Sequence, residues 1–193
     1  MIGVLGLQGD FAAHGTALRH AGADWCLVKK PGQLDAVDGL IVPGGESTTL
    51  LRLMESWRMF EPLRAFVASG RAFFGTCAGL ILAAREVRNP AQPSLGLIDL
   101  VVERNGYGRQ IDSFESYGEF RPPHGPARPL EMVFIRAPRI VQLGPRVESL
   151  ATWRGECVLA RQGRVLAAAF HPELTDDPTV HRLFVSMCRN GRG

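Results

Sequence analysis

Between Ile2 and Glu86 the chain alternates short apolar runs with longer stretches of helical periodicity, and this alternation constrains the fold more than any other feature. IGVLGLQ, ADWCLVK, DGLIVPGG and RAFFGT read as strands. FAAHGTALRHAG, TTLLRLMESW, FEPLRAFVASG and AGLILAARE read as helices. Strands separated by helices cannot pair as hairpins. They pair in parallel, with the helices packed on both faces of the sheet. In such sheets ligands bind beyond the carboxyl ends of the strands. GLQGD, PGGES and GTCAG all fall at those ends.

From about Leu95 to Phe170 the pattern changes to strand-like pieces with little helix. These are LGLIDLVVER, DSFESYGEF, EMVFIRAP, ESLATWRG, ECVLARQG and RVLAAAF. Arg154-Gly155 and Gln162-Gly163 read as hairpin turns joining the last three. RPPHGPARP reads as a proline-rich surface loop, and a final helix is expected over roughly Pro178–Arg189. A length of 193 residues suits one domain, so residues 1–193 are expected to form a single α/β unit. Its sheet should be mostly parallel, with an antiparallel extension in the second half.

Composition excludes several function classes. The net charge of +3 is small and the basic residues are scattered, which argues against a nucleic-acid surface. No apolar run approaches the roughly 20 residues of a membrane span. The N-terminus meets Gln8 and Asp10 too soon for a signal peptide. Cys26, Cys77, Cys157 and Cys188 show neither C-x-x-C pairing nor zinc spacing. Free thiols in a reducing cytoplasm are the expectation.

Gly75-Thr76-Cys77-Ala78-Gly79 has the G-x-nucleophile-x-G spacing of a nucleophile elbow. A helix beginning at Ala78 would direct its positive end at the sulfur and favour the thiolate. The Ala78 N–H would face a developing oxyanion. A small buried cysteine in a tight turn fits the pentapeptide equally well. A cysteine nucleophile needs a base. Of the histidines, His14 and His20 fall on the first helix, His124 in the proline-rich loop and His181 on the last helix. Only His171 follows directly on an apolar strand, and Glu173 stands where it can orient the imidazole. Taken alone, His171-Pro172-Glu173 reads as a surface turn; with the elbow at another strand end of the same sheet, it reads instead as the base. A zinc site from His171, Glu173 and His181 lacks ligand spacing and is discounted. Pro43-Gly44-Gly45-Glu46-Ser47-Thr48-Thr49 follows a buried strand and opens a helix, with Ser47 or Thr48 as N-cap. Its glycines would let backbone N–H groups approach a ligand, as a second oxyanion donor. It lacks the lysine of a phosphate loop.

GTCAG, PGGEST and HPE, in this order, resemble a class I (triad-type) glutamine amidotransferase domain of flavodoxin-like fold. GVLGLQGD, PGGESTTL, GTCAGLILAA, RNGYGRQIDSFE, FIRAP and FHPELTDD further resemble the glutaminase subunits of pyridoxal 5′-phosphate synthase complexes, from Gly3 to His181. The resemblance implies hydrolysis of L-glutamine by Cys77, His171 and Glu173. It implies an oxyanion hole from the backbone of Gly45 and Ala78. Glutamine would be held by Gly45, Glu46, Ser47, Arg104, Ile135 and Arg136. The ammonia would pass to a synthase (lyase) subunit in a hetero-oligomer, with docking coupled to catalysis through Gln8. No metal or cofactor is implied for this subunit. Three other readings stay open: an amidotransferase of another pathway, a DJ-1/PfpI-like protein, and a flavodoxin-like interaction module in which Cys77 only packs.

Overall fold

The computed structural model describes residues 1–106 and 113–189. Its main sheet has nine strands in the order β2-β1-β3-β4-β12-β11-β10-β7-β8. The parallel half comprises β1 (Ile2–Leu5), β2 (Trp25–Val28), β3 (Gly39–Val42), β4 (Ala72–Thr76) and β12 (Val165–Ala168). β1, β3, β4 and β12 are buried at every position, as strands covered by helices on both faces must be. The helices are α1 (Phe11–His20), α2 (Ser47–Ser56), α3 (Phe60–Ala68), α4 (Ala78–Ala83) and α5 (Thr179–Arg189).

β12 is the hinge of the architecture. It runs parallel to β4 on one side and antiparallel to β11 (Glu156–Gln162) on the other. Beyond β11 the sheet continues through β10 (Glu148–Trp153), β7 (Ser113–Phe120) and β8 (Arg128–Ile135), all antiparallel. β8 is last in the sheet order, yet its Val133 carbonyl accepts the N–H of His171 at 2.8 Å. The extension therefore curls back over the end of β12. Phe134 lies near Phe114, Trp153 and Phe170, with centroids 4.7, 5.2 and 5.9 Å away, and this aromatic cluster fills the curl. Burying each such side chain contributes about 1.5–3 kcal/mol.

The α/β class, the parallel core and the antiparallel extension agree with the sequence reading. Some local readings do not. AGLILAARE is not one helix: α4 stops at Ala83, and Ala84–Arg88 is a strand, β5. β5 pairs with β6 (Ile98–Glu103), and β6 pairs with β9 (Arg139–Leu143), a strand not anticipated; together they form a separate sheet. Ala, Arg and Glu are good helix formers, but propensity is a weak prior and tertiary pairing overrides it here. The β11–β12 turn is Gly163-Arg164 rather than Gln162-Gly163, because Gln162 still pairs with Val165. The proline-rich loop also ends earlier than expected, since Arg128 and Pro129 already pair with Phe120 and Glu119. No helix among the described residues is long and apolar enough to cross a membrane.

Candidate active site

The elbow is built by strain and by missing side chains. Cys77 adopts φ 48° and ψ −101°, a conformation costly for a residue with a Cβ, between the end of β4 and the start of α4. A Cβ at Gly75 would lie 2.4 Å from the Gly79 backbone, and one at Gly79 would lie 2.2 Å from the Val42 carbonyl. Strand, turn and helix meet only because both positions are glycine. The Cys77 N–H bonds the Ala168 carbonyl of β12 at 2.9 Å, which ties the elbow to the strand that delivers the base.

Three residues beyond β12, His171 enters a short 3-10 turn, Pro172–Leu174. Its Nδ1 lies 2.7 Å from Glu173 Oε1. Both His171 and Glu173 are buried. Burial is the largest single influence on the imidazole and would lower its pKa. Hydrogen bonds to Cys77 and Glu173, with their charges, outweigh it and raise the ring to about 10. Glu173 moves the opposite way. Burial would raise it, but the adjacent His14 and the bond and charge of His171 hold it below the usual carboxylate range. Gly44 leaves room for this arrangement, since a Cβ there would lie 2.4 Å from His171 Cε1 and 3.2 Å from Cys77 Cβ.

These groups open onto a cavity of about 380 Å³. Its walls include Gly45, Glu46 and Ser47 from the β3–α2 turn, Arg104 from the end of β6, and Ile135 and Arg136 from the end of β8. Thus every residue expected to hold substrate reaches one pocket with Cys77, His171 and Glu173. Gln8 and Ala78 do not line it. Ala78 is fully buried in the first turn of α4, immediately after the nucleophile. Gln8 stands behind the β3–α2 turn: its Nε2–H donates to the Glu46 carbonyl at 3.0 Å, and it lies where a Gly45 side chain would be.

The cap of α2 is Glu46, not Ser47 or Thr48. Burial would raise its carboxyl, but the N–H groups of Thr48 and Thr49 and the Thr49 hydroxyl hold it down to about 2. Arg104 bonds Thr48 Oγ1 at 3.1 Å and lies 3.5 Å from Glu46 Oε1. The pocket is rimmed by this ordered pair of opposite charges. Of the stretch Arg104–Glu115 in the sequence reading, Tyr107–Asp112 lies outside the described residues.

Sequence reasoning missed Ile81, Asn105 and Leu174 on the cavity wall. It also missed two histidines behind Glu173. His14 and His181 are fully buried, with His14 Nδ1 3.0 Å from His181 Nε2. The only available signal was that each falls on an otherwise core-facing helix position. Among the described residues no group of three or more His, Cys, Asp or Glu is arranged to hold a metal.

A strained elbow cysteine beside a strand-end His-x-Glu, on a parallel sheet with an antiparallel extension, defines the class of triad glutamine amidotransferases. A solved structure described as "Crystal structure of glutamine amidotransferase" superposes with a TM-score of 0.90 at 45% identity, covering 97% of this chain and 98% of its own. The chain belongs to the SNO glutamine amidotransferase family, whose pattern it matches over residues 4–190. It is 54% identical over 190 residues to the pyridoxal 5′-phosphate synthase subunit PdxT of Koribacter versatilis, covering 98% of this chain and 96% of that protein. To the PdxT subunit of Bacillus velezensis it is 50% identical over 186 residues, covering 96% and 93%.

Proposed function

We propose that this chain is the glutaminase subunit of a pyridoxal 5′-phosphate synthase, releasing ammonia from L-glutamine at Cys77 for use by a synthase (lyase) subunit. The observation that carries the reading is His171, its Nδ1 2.7 Å from Glu173 Oε1, on the wall of one cavity with Cys77. His171 takes the thiol proton of Cys77 and, with its pKa raised to about 10, holds it through the attack.

The thiolate attacks the side-chain carbonyl carbon of glutamine, and the charge moves to the carbonyl oxygen. The N–H groups of Ala78 and Gly45 receive that oxyanion. His171 then gives its Nε2 proton to the amide nitrogen. The C–N bond breaks, ammonia leaves and a γ-glutamyl thioester remains on Cys77. Neutral His171 next takes a proton from water as the hydroxide adds to the thioester. Collapse expels the thiolate and yields glutamate. Glu173 keeps Nδ1 protonated and Nε2 toward the sulfur throughout. Arg104 is suited to the α-carboxylate of the substrate, which a guanidinium binds with two parallel bonds. The Gly45–Ser47 and Ile135–Arg136 segments bracket the rest of the amino acid.

The relatives named above are synthase subunits, and this supports the same role here, with ammonia passed directly between subunits. The Gln8 bond to the Glu46 carbonyl supports a role for Gln8 in coupling docking to the oxyanion turn. The test is glutamine hydrolysis by the wild type and Cys77→Ala, each with and without the synthase subunit. Ammonia release that requires Cys77 and rises on adding the synthase supports the reading. Release by the alanine variant, or full activity of the isolated chain, overturns the mechanism or the coupling respectively.

A further inference from the structure

Glu173 Oε1 is taken by His171, but Oε2 is buried and has no hydrogen-bond partner among the described residues. His14 Nε2 lies 3.4 Å from it. His14 is itself held on every side. Its Nδ1 meets His181 Nε2 at 3.0 Å, its Nε2 meets Thr76 Oγ1 at 3.2 Å, and its ring stands edge-on to Phe74. Thr76 Oγ1 also accepts the Gly44 N–H at 3.0 Å. One buried polar chain thus runs from α5 through α1 to the carboxylate that orients the base.

We infer that His14 is a positioning residue for the triad, presenting Nε2–H to the second oxygen of Glu173 while His181 fixes that tautomer by donating to Nδ1. The alternative tautomer puts a lone pair of His14 against an anionic oxygen. It also forces the His181 proton onto Nδ1, which has no partner in its buried site. Orphaned buried N–H donors are rarer and costlier than an unused acceptor. With the proton on His14 Nε2, the donor is shared between Thr76 Oγ1 and Glu173 Oε2. Only an acceptor, His181 Nδ1, is left without a partner.

The pair stays neutral. Burial, the largest influence, lowers His14; Glu173 and Asp10 oppose it and His171 adds to it. His181 is lowered to about 3, by burial first and by His14 next. A neutral donor suits the task. It restrains the carboxylate without cancelling the charge that stabilises the His171 imidazolium. An apolar pair would fill the same space, and two imidazoles in an apolar core cost desolvation unless their nitrogens are used. Holding both carboxylate oxygens keeps Oε1 on His171 Nδ1, and hence Nε2 on Cys77.

The inference rests on the glutaminase reading of Cys77, His171 and Glu173. Its test compares wild type, His14→Phe and His14→Gln, assayed for ammonia release with the synthase subunit, alongside the 15N NMR signature of the His14 ring in the free chain. The titratable groups facing His14 are Glu173 and His171 from the 3-10 turn, His181 from α5 and Asp10 at its own helix cap. Expected are neutral His14 protonated at Nε2 and a kcat at least 10-fold lower in His14→Phe at similar KM. The alkaline limb of that variant should move to lower pH, and His14→Gln, whose amide can donate to Glu173, should recover most of the loss. Wild-type kcat with an unmoved alkaline limb in folded His14→Phe overturns the inference, as does a proton on Nδ1. Should His14→Phe fail to fold, the glutamine variant decides: a kcat as low as that of Glu173→Gln counts against the inference. Failure of the glutaminase reading itself would appear as wild-type chain inactive with the synthase, and the NMR arm would still decide the His14 tautomer.

Discussion

The Nδ1 atom of His171 lies 2.7 Å from the Oε1 of Glu173, two residues further along the chain, so base and orienting acid are set by one local turn. The His171 pKa, raised to about 10 from 6.5, makes the imidazolium form part of the folded state. Its stabilising contribution is complete below about 6.5 and is lost as pH rises through about 10. Ammonia release is therefore expected to fall along an alkaline limb near 10, where the general acid is lost. Glu173→Gln removes a bond and a charge that raise the ring, so this limb should move to lower pH. Turnover should drop on the order of 10²–10⁴-fold. A pH profile of the variant with an unmoved limb would show that Glu173 does not hold the proton on His171.

Acid should destabilise the fold well above ordinary carboxylate pKa values. His14 and His181 are buried neutral, with pKa values below 6.5, His181 at about 3. The unfolded chain takes up protons there as pH falls below 6.5, whereas the folded chain does not. Each such histidine contributes a slope of about 1.4 kcal/mol per pH unit. Glu173, lowered in the folded state, adds a loss in the same direction once pH falls below 4.5. Chemical denaturation between pH 7 and 5 should show stability falling in the wild type and a shallower fall in His181→Gln. Equal slopes would contradict the neutral assignment.

Alanine at two glycines should separate stability from chemistry. Gly79→Ala drives a methyl into the Val42 carbonyl, a backbone group unable to rotate away. It should cost about 1–3 kcal/mol, read by denaturant unfolding. Gly44→Ala sets its methyl against the His171 ring instead, and should depress ammonia release more than it depresses melting temperature. Wild-type turnover in folded Gly44→Ala would mean that the ring has freedom the structure does not show.

Gln8→Ala should leave melting temperature near that of the wild type, since Gln8 is half-buried and its bond to Glu46 lies at the surface. The bond contributes about 0.5–1.5 kcal/mol. If it shapes the oxyanion turn, the synthase-stimulated rate should fall about 2–10-fold. Unchanged stimulation in a coupled assay would remove Gln8 from the docking role.

What the sequence displayed and what it hid divide along a physical line. Strand–turn–helix motifs are local, so the elbow at Cys77 and the turns after β3 and β12 were legible from spacing and glycine placement. Which turns share an edge followed from the parallel rule alone. The sheet of β5, β6 and β9 was not legible, because Ala84–Arg88 becomes a strand only by pairing with residues 98–103. The His14–His181 contact joins positions 167 residues apart, and no local pattern announces it. The α2 cap was misplaced by one or two residues because a carboxylate can reach the same N–H groups as a hydroxyl.

The pairing of Ala168 with Thr76 across β12 and β4 has a broader consequence. Cys77 and His171 follow neighbouring strands of the parallel core, whose register sets their separation. Loops remote from these strand ends can be exchanged without re-aiming one at the other. The glutamine-cleaving machinery is thus a transferable cassette: lineages can redesign its periphery for a new ammonia acceptor while the reaction stays as it was.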